Sequence, residues 1–172
     1  MNKLVWRNIG RFVLLMLVQM LVLNHVYMGG YIVPMLYVLF VLMLPTSMGK
    51  VPMLLAAFGS GLLADVMAGP LGFNALACTV VAMCRVMFAD RILTRGDDTV
   101  VAVPSLHSVA PLYFVSYLLL MFGIFYLVFF TVEMFGFRGF GDVLLATLAS
   151  TLASTALALV YQFIFTRKEA TA

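Results

Sequence analysis

The chain has 172 residues, 65% of them hydrophobic and only 10% charged. So little charge excludes a soluble globular domain, which would need far more polar surface. The net charge of +3 marks orientation in a membrane rather than affinity for nucleic acid.

Six apolar segments are expected to cross the membrane as helices, at about 9–24, 31–44, 52–67, 73–89, 111–132 and 142–165. Several approach the roughly 20 residues that a bilayer requires. The second and third are short for a full span, and tilt elsewhere, thinning of the bilayer or burial in the bundle would accommodate them. The expected fold is all-α: one integral membrane domain over 1–172, six helices in one compact bundle, with both termini on the cytoplasmic side. That orientation puts Lys3, Arg7, Arg11, Lys50, Arg85, Arg91, Arg95, Arg167 and Lys168 inside and only Arg138 outside, as basic residues prefer.

The N-terminal stretch has basic residues followed by an apolar run, Phe12 to Leu23, but Asn24-His25-Val26-Tyr27 offers no small-residue cleavage site. It reads as an uncleaved first helix. Lys3, Arg7 and Arg11, four residues apart, share one face beside Trp6, which suits a layer of anionic lipid headgroups. The second segment opens with Gly29-Gly30, carries Pro34 in its first turn, where a missing amide is tolerated, and ends at Pro45-Thr46-Ser47.

The third and fourth segments meet in the most distinctive stretch, Phe58 to Leu76. Small residues crowd there, Asp65 sits among aliphatics, Gly69-Pro70 and Gly72 break the helix, and Asn74 follows. A helix ends, turns tightly and restarts at the outer surface. Two roles for Asp65 stand side by side. Its carboxylate is favoured beside the electropositive start of the fourth helix, or it contacts a partner or ligand. Cys78 and Cys84, six residues apart, point to different faces and predict neither a disulfide nor a metal site.

The longest loop, about 90–110, is cytoplasmic and nearly charge-balanced, and His107 has no companion at ligand spacing. The fifth segment is aromatic, from Tyr113 to Phe130, with rings fit for interface belts at its ends and for lipid or core between them. Asp142 caps or charges the start of the sixth helix. In that helix Ala146, Ser150, Ser154 and Ala158 recur every four residues, beside a row of Thr147, Thr151 and Thr155. Small residues at this spacing admit another helix closely. The neighbour is expected either from this chain, where the third-segment ladder of Ala56, Ser60 and Ala64 with Ala57 and Gly61 would face it, or from another protein.

No catalytic constellation is visible: no HExxH, no GxSxG, no P-loop and no paired aspartates on one span. The reading is of a protein that is not an enzyme, holds no cofactor and acts by packing against others.

The order of these features resembles the rod shape-determining MreD family over nearly the whole chain. The residues that carry the resemblance are Gly61, Asp65, Pro70, Gly72 and Asn74 within G-L-L-A-D-V-M-A-G-P-L-G-F-N-A-L, with L-V-L-N-H and L-P-T-S-M-G-K before it. The family often has His where Asn74 stands. The resemblance implies a non-enzymatic multi-pass subunit of the bacterial elongation complex in the cytoplasmic membrane, supporting rod shape and lateral peptidoglycan synthesis. The implied partners are MreC, with RodA, a penicillin-binding transpeptidase and MreB in the same complex, and membrane lipid. The implied fold is similar to the substrate-binding membrane component of energy-coupling-factor transporters. The alternative reading is therefore a small-molecule-binding subunit of such a transporter.

Overall fold

A computed structural model gives the architecture, describing residues 2–21, 32–45, 48–68, 72–92, 111–133 and 140–166. Six helices follow one another: α1 (Asn2–Leu21), α2 (Val38–Leu42), α3 (Lys50–Ala68), α4 (Phe73–Ile92), α5 (Pro111–Glu133) and α6 (Phe140–Thr166). No sheet forms among the described residues. Lys50–Met67, Pro111–Glu133 and Gly141–Ile164 are long and apolar enough to cross a membrane, and Asn8–Leu21 and Phe73–Met87 are shorter apolar helices. The chain is accordingly a multi-pass membrane protein.

Sequential helices pack pairwise, α3 on α4, α4 on α5 and α5 on α6, while α1 leans on α2. The outward faces stay apolar. Leu55, Phe58, Leu62 and Val66 are exposed on α3, and Leu145, Leu148 and Leu152 on α6, as suits helices whose solvent is lipid. The rings of α5 turn inward: Phe114, Tyr117, Phe122, Phe125, Tyr126, Phe129 and Phe130 are all buried, and Tyr113 is the exposed one. Phe125 and Phe129 stack, and Tyr126 meets Phe125 edge-on. The aromatic residues of α5 are thus mainly core, with only the first of them, Tyr113, turned outward.

The second segment departs from expectation. It is not one helix over 31–44 but an extended stretch, a turn at Tyr37 and the five-residue helix α2. Two features of the sequence account for the break. Pro34 lacks an amide hydrogen and pushes the residue before it out of the helical region, and Ile32 and Val33 are β-branched. Val38, Leu39, Val41 and Leu42 are then 0% exposed. A helix apolar on all sides belongs inside a bundle, and α2, touching α1, α3, α4 and α5, is the centre around which the long helices close.

Candidate functional site

Three sets of buried polar contacts hold the extended stretch, α2 and the α3–α4 turn together. The first is the turn. Gly61 lies one turn before Asp65 on α3, so both face α4. A Cβ on Gly61 would come within 2.5 Å of the Ala75 Cα and 2.6 Å of the Asn74 carbonyl oxygen. Backbone cannot yield as a flexible side chain can, so only glycine admits this helix approach. Gly72, at φ +91°, takes the left-handed conformation that favours glycine immediately before α4. It has no side chain to cap the helix. Asp65 supplies that cap from the neighbouring helix: Oδ1 accepts from the Asn74 amide at 3.0 Å and Oδ2 from the Ala75 amide at 2.9 Å. Two orphan donors of the first turn are satisfied, and the carboxylate, 1% exposed, meets the positive end of the helix dipole. The Asn74 side chain does not bond across the turn to Asp65. Its Oδ1 accepts instead from the Tyr37 hydroxyl at 2.9 Å, which ties the turn to the start of α2. Pro70 lies outside the described residues.

The second set surrounds the extended stretch. Non-helical backbone at membrane depth persists only where protein satisfies its polar groups, and here side chains do so. The Val33 amide donates to Ser150 Oγ at 3.2 Å, and the Val33 carbonyl accepts from the Tyr126 hydroxyl at 2.8 Å. The Met35 amide donates to Tyr126 Oη at 2.7 Å and to Ser154 Oγ at 3.2 Å. Gln19 serves two more groups: its Nε2 donates to the Pro34 carbonyl at 3.0 Å and its Oε1 accepts from the Leu36 amide at 2.7 Å. Tyr126 Oη and Ser154 Oγ are 2.5 Å apart. With the tyrosine proton on Val33, Ser154 is the donor of that pair. The α6 ladder therefore serves a strand-like segment of its own chain. Ala146, Ser150, Ser154 and Ala158 are all 0% exposed, leaving no open face there for a helix from another protein. Nor is α3 with α6 among the closely packed helix pairs. The α3 ladder faces α4 at Gly61, the helix that α3 packs on most extensively.

The third set lies at the opposite end of the bundle. Arg85 is 1% exposed. Its Nη1 donates to the Val41 carbonyl at 2.8 Å and contacts Met53 Sδ at 3.3 Å, and Nη2 donates to the Leu44 carbonyl. The Tyr117 hydroxyl adds a longer contact to the Leu42 carbonyl, 3.4 Å. The guanidinium thus covers the carbonyl end of α2, where helices carry partial negative charge and unpaired acceptors. Arg85 counts as a cytoplasmic basic residue in the sequence, yet it is placed in the interior as a helix cap.

Between α1, the extended stretch and α3 is a small cavity of about 20 Å³, bordered on its polar side by Gln19, Tyr37 and Asn74. A cavity of this size holds about one water. His25, the 93–110 loop with His107, and Arg138 lie outside the described residues, while Glu133 and Asp142 are exposed at helix ends.

Sequence reasoning found Asp65, Gly61 and Asn74 but missed Gln19, Tyr37 and Tyr126, and it gave Arg85 only a topological role. One signal was present: each is a polar group within an otherwise apolar segment, and such groups in membrane spans have partners. No family model, no curated protein and no solved structure matches the chain.

Proposed function

We propose that the chain is a non-enzymatic scaffold subunit of the bacterial elongation complex, MreD-like, lying in the cytoplasmic membrane with its N-terminus inside and binding MreC and other members of that complex. The observation that supports this reading best is how the buried polar groups are used. Asp65, Asn74, Tyr37, Gln19, Tyr126, Ser154 and Arg85 are engaged in holding backbone and helix ends. Such an arrangement makes a fixed shape for others to pack on. Four of the five residues that carry the resemblance, Gly61, Asp65, Gly72 and Asn74, belong to one such device, the α3–α4 turn.

The transporter-subunit reading needs room for an organic ligand. The cavity beside Gln19, Tyr37 and Asn74, about 20 Å³, has room for about one water and does not favour it. A partner helix in turn needs a surface other than the buried α6 ladder. The deciding experiment is purification from native membranes with identification of what co-elutes. The scaffold reading expects MreC in the eluate. Recovery of the folded protein without it, or with a bound vitamin, defeats the reading.

A further inference from the structure

The apolar side of the same cavity is lined mainly by methionine. Met16 and Met20 stand one turn apart on α1, Met35 is on the extended stretch, and Met67 is in the last turn of α3. They are half of the residues that line it, in a chain with 13 methionines among 172 residues. Three separate elements deliver them, so their convergence is a tertiary fact. The Met35 sulfur is 4.0 Å from the Tyr37 hydroxyl, which is itself bonded to Asn74, and so it lies against the polar wall. Asp65 is next in sequence to Ala64 and bonded to the amide of Asn74, both of which border the cavity. Among the described residues its hydrogen-bond partners are two backbone amides, neither of which carries a formal charge.

We propose that this cavity binds one monovalent soft metal ion, Cu(I) or its surrogate Ag(I), through the thioether sulfurs of Met16, Met20, Met35 and Met67, with the Asp65 carboxylate as the nearby countercharge. Thioethers select Cu(I) over the harder ions that prefer nitrogen or oxygen, and they need no deprotonation to bind. Met16 and Met35 are buried while Met20 and Met67 are 37% and 41% exposed, and a single positive charge matches the one buried carboxylate better than a divalent ion does. A volume of about 20 Å³ suits a single ion. Clusters of three or more His, Cys, Asp or Glu are absent among the described residues, so no competing site of harder donors stands there. The proposal holds whether or not the chain joins the elongation complex.

The test uses the full-length protein in detergent under ascorbate, with Cu(I) titrated against a chromophoric Cu(I) chelator and Ag(I) followed by thermal unfolding. The expected result is one ion per chain and a raised unfolding temperature. In the triple variant M16L/M35L/M67L, affinity falls by about tenfold or more, while M83L/M87L, altered at two exposed methionines, binds like the parent. Leucine is close to methionine in volume, so the packing tolerates each change, and unfolding without metal checks the fold. Should the triple variant fail to fold, X-ray absorption on the Cu(I)-loaded parent decides: a sulfur-only shell supports the site and a nitrogen or oxygen shell overturns it. Absent binding, equal binding by M16L/M35L/M67L and the parent, or equally tight Zn(II) binding also overturns it; methionine would then be only the adaptable core filler it often is.

Discussion

Asp65 and Arg85 are the two fully buried charges of the described core, and they solve opposite problems at opposite ends. Asp65 caps the amide end of α4 and Arg85 the carbonyl end of α2, each matching its sign to the helix dipole. On α4 the Asp65-bonded amide of Asn74 and the Arg85 backbone are about 16 Å apart at 1.5 Å per residue. They therefore act separately, not as an ion pair. The difference lies in sequence distance. Asp65 reaches residues 9 and 10 positions away, across a turn that Gly61 and Gly72 make possible. Arg85 reaches back 41 and 44 positions to a helix of five residues that could not stand alone in any solvent, since a single turn is below the length at which isolated helices persist. One charge finishes a local hairpin and the other holds a central element in place. A membrane interior accepts a charge when the alternative is an unpaired backbone group.

The comparison can be broken by mutation, and the largest effect belongs to Arg85. In Arg85→Leu the Leu44 carbonyl loses its guanidinium donor and the Val41 carbonyl keeps only the Leu44 amide at 3.5 Å, with a cost of about 3 kcal/mol. We expect loss of monodisperse protein in fluorescence-detected size exclusion, and a well-behaved variant contradicts the capping role. Gly61→Ala comes next: with backbone 2.5 Å from the new carbon, the α3–α4 pair must separate, at about 2 kcal/mol, visible as a lower unfolding temperature. The pair Asp65→Leu and Asp65→Asn sharpens the comparison further. Leucine removes both acceptors and costs about 2 kcal/mol, within the range of lost caps, while asparagine keeps one acceptor and costs less. Equal losses would mean that the charge, not hydrogen bonding, dominates. If Asp65→Leu folds normally but loses a partner, Asp65 is an interface residue instead.

Tyr126→Phe removes the donor to the Val33 carbonyl and an acceptor of the Met35 amide, and Ser154→Ala removes the other acceptor of that amide, at about 1 kcal/mol apiece. Because they share the Met35 amide and touch each other, a double-mutant cycle should show non-additivity of at least about 0.5 kcal/mol. Additive losses would remove the network from the account. The smallest effect runs the other way. The hydroxyls of Thr147, Thr151 and Thr155 are buried without a hydrogen-bond partner. Thr151→Val, keeping shape and dropping an unsatisfied group, should raise stability by up to about 1 kcal/mol, measured in the same unfolding assay.

Composition alone determined that this is a helical membrane protein, and apolar run length placed α1, α3, α4, α5 and α6 to within a few residues except at the start of α1, Asn2 rather than about 9. These are one-dimensional properties, since a bilayer demands length and hydrophobicity whatever the neighbours are. The α3–α4 turn was legible as well, because Gly61, Asp65, Gly72 and Asn74 lie within one hairpin and act on each other across a few residues. The fate of residues 31–44 was not. Their hydropathy suits a helix, and Pro34 alone does not say that the chain stays extended for several residues. What decides it is whether Gln19, Tyr126, Ser150 and Ser154 arrive to take up the freed amides and carbonyls. For the same reason the α6 ladder could be read as a helix-docking face, and Arg85 as a marker of orientation. Which backbone a distant side chain will satisfy is a property of the packed bundle, and only the tertiary structure assigns it.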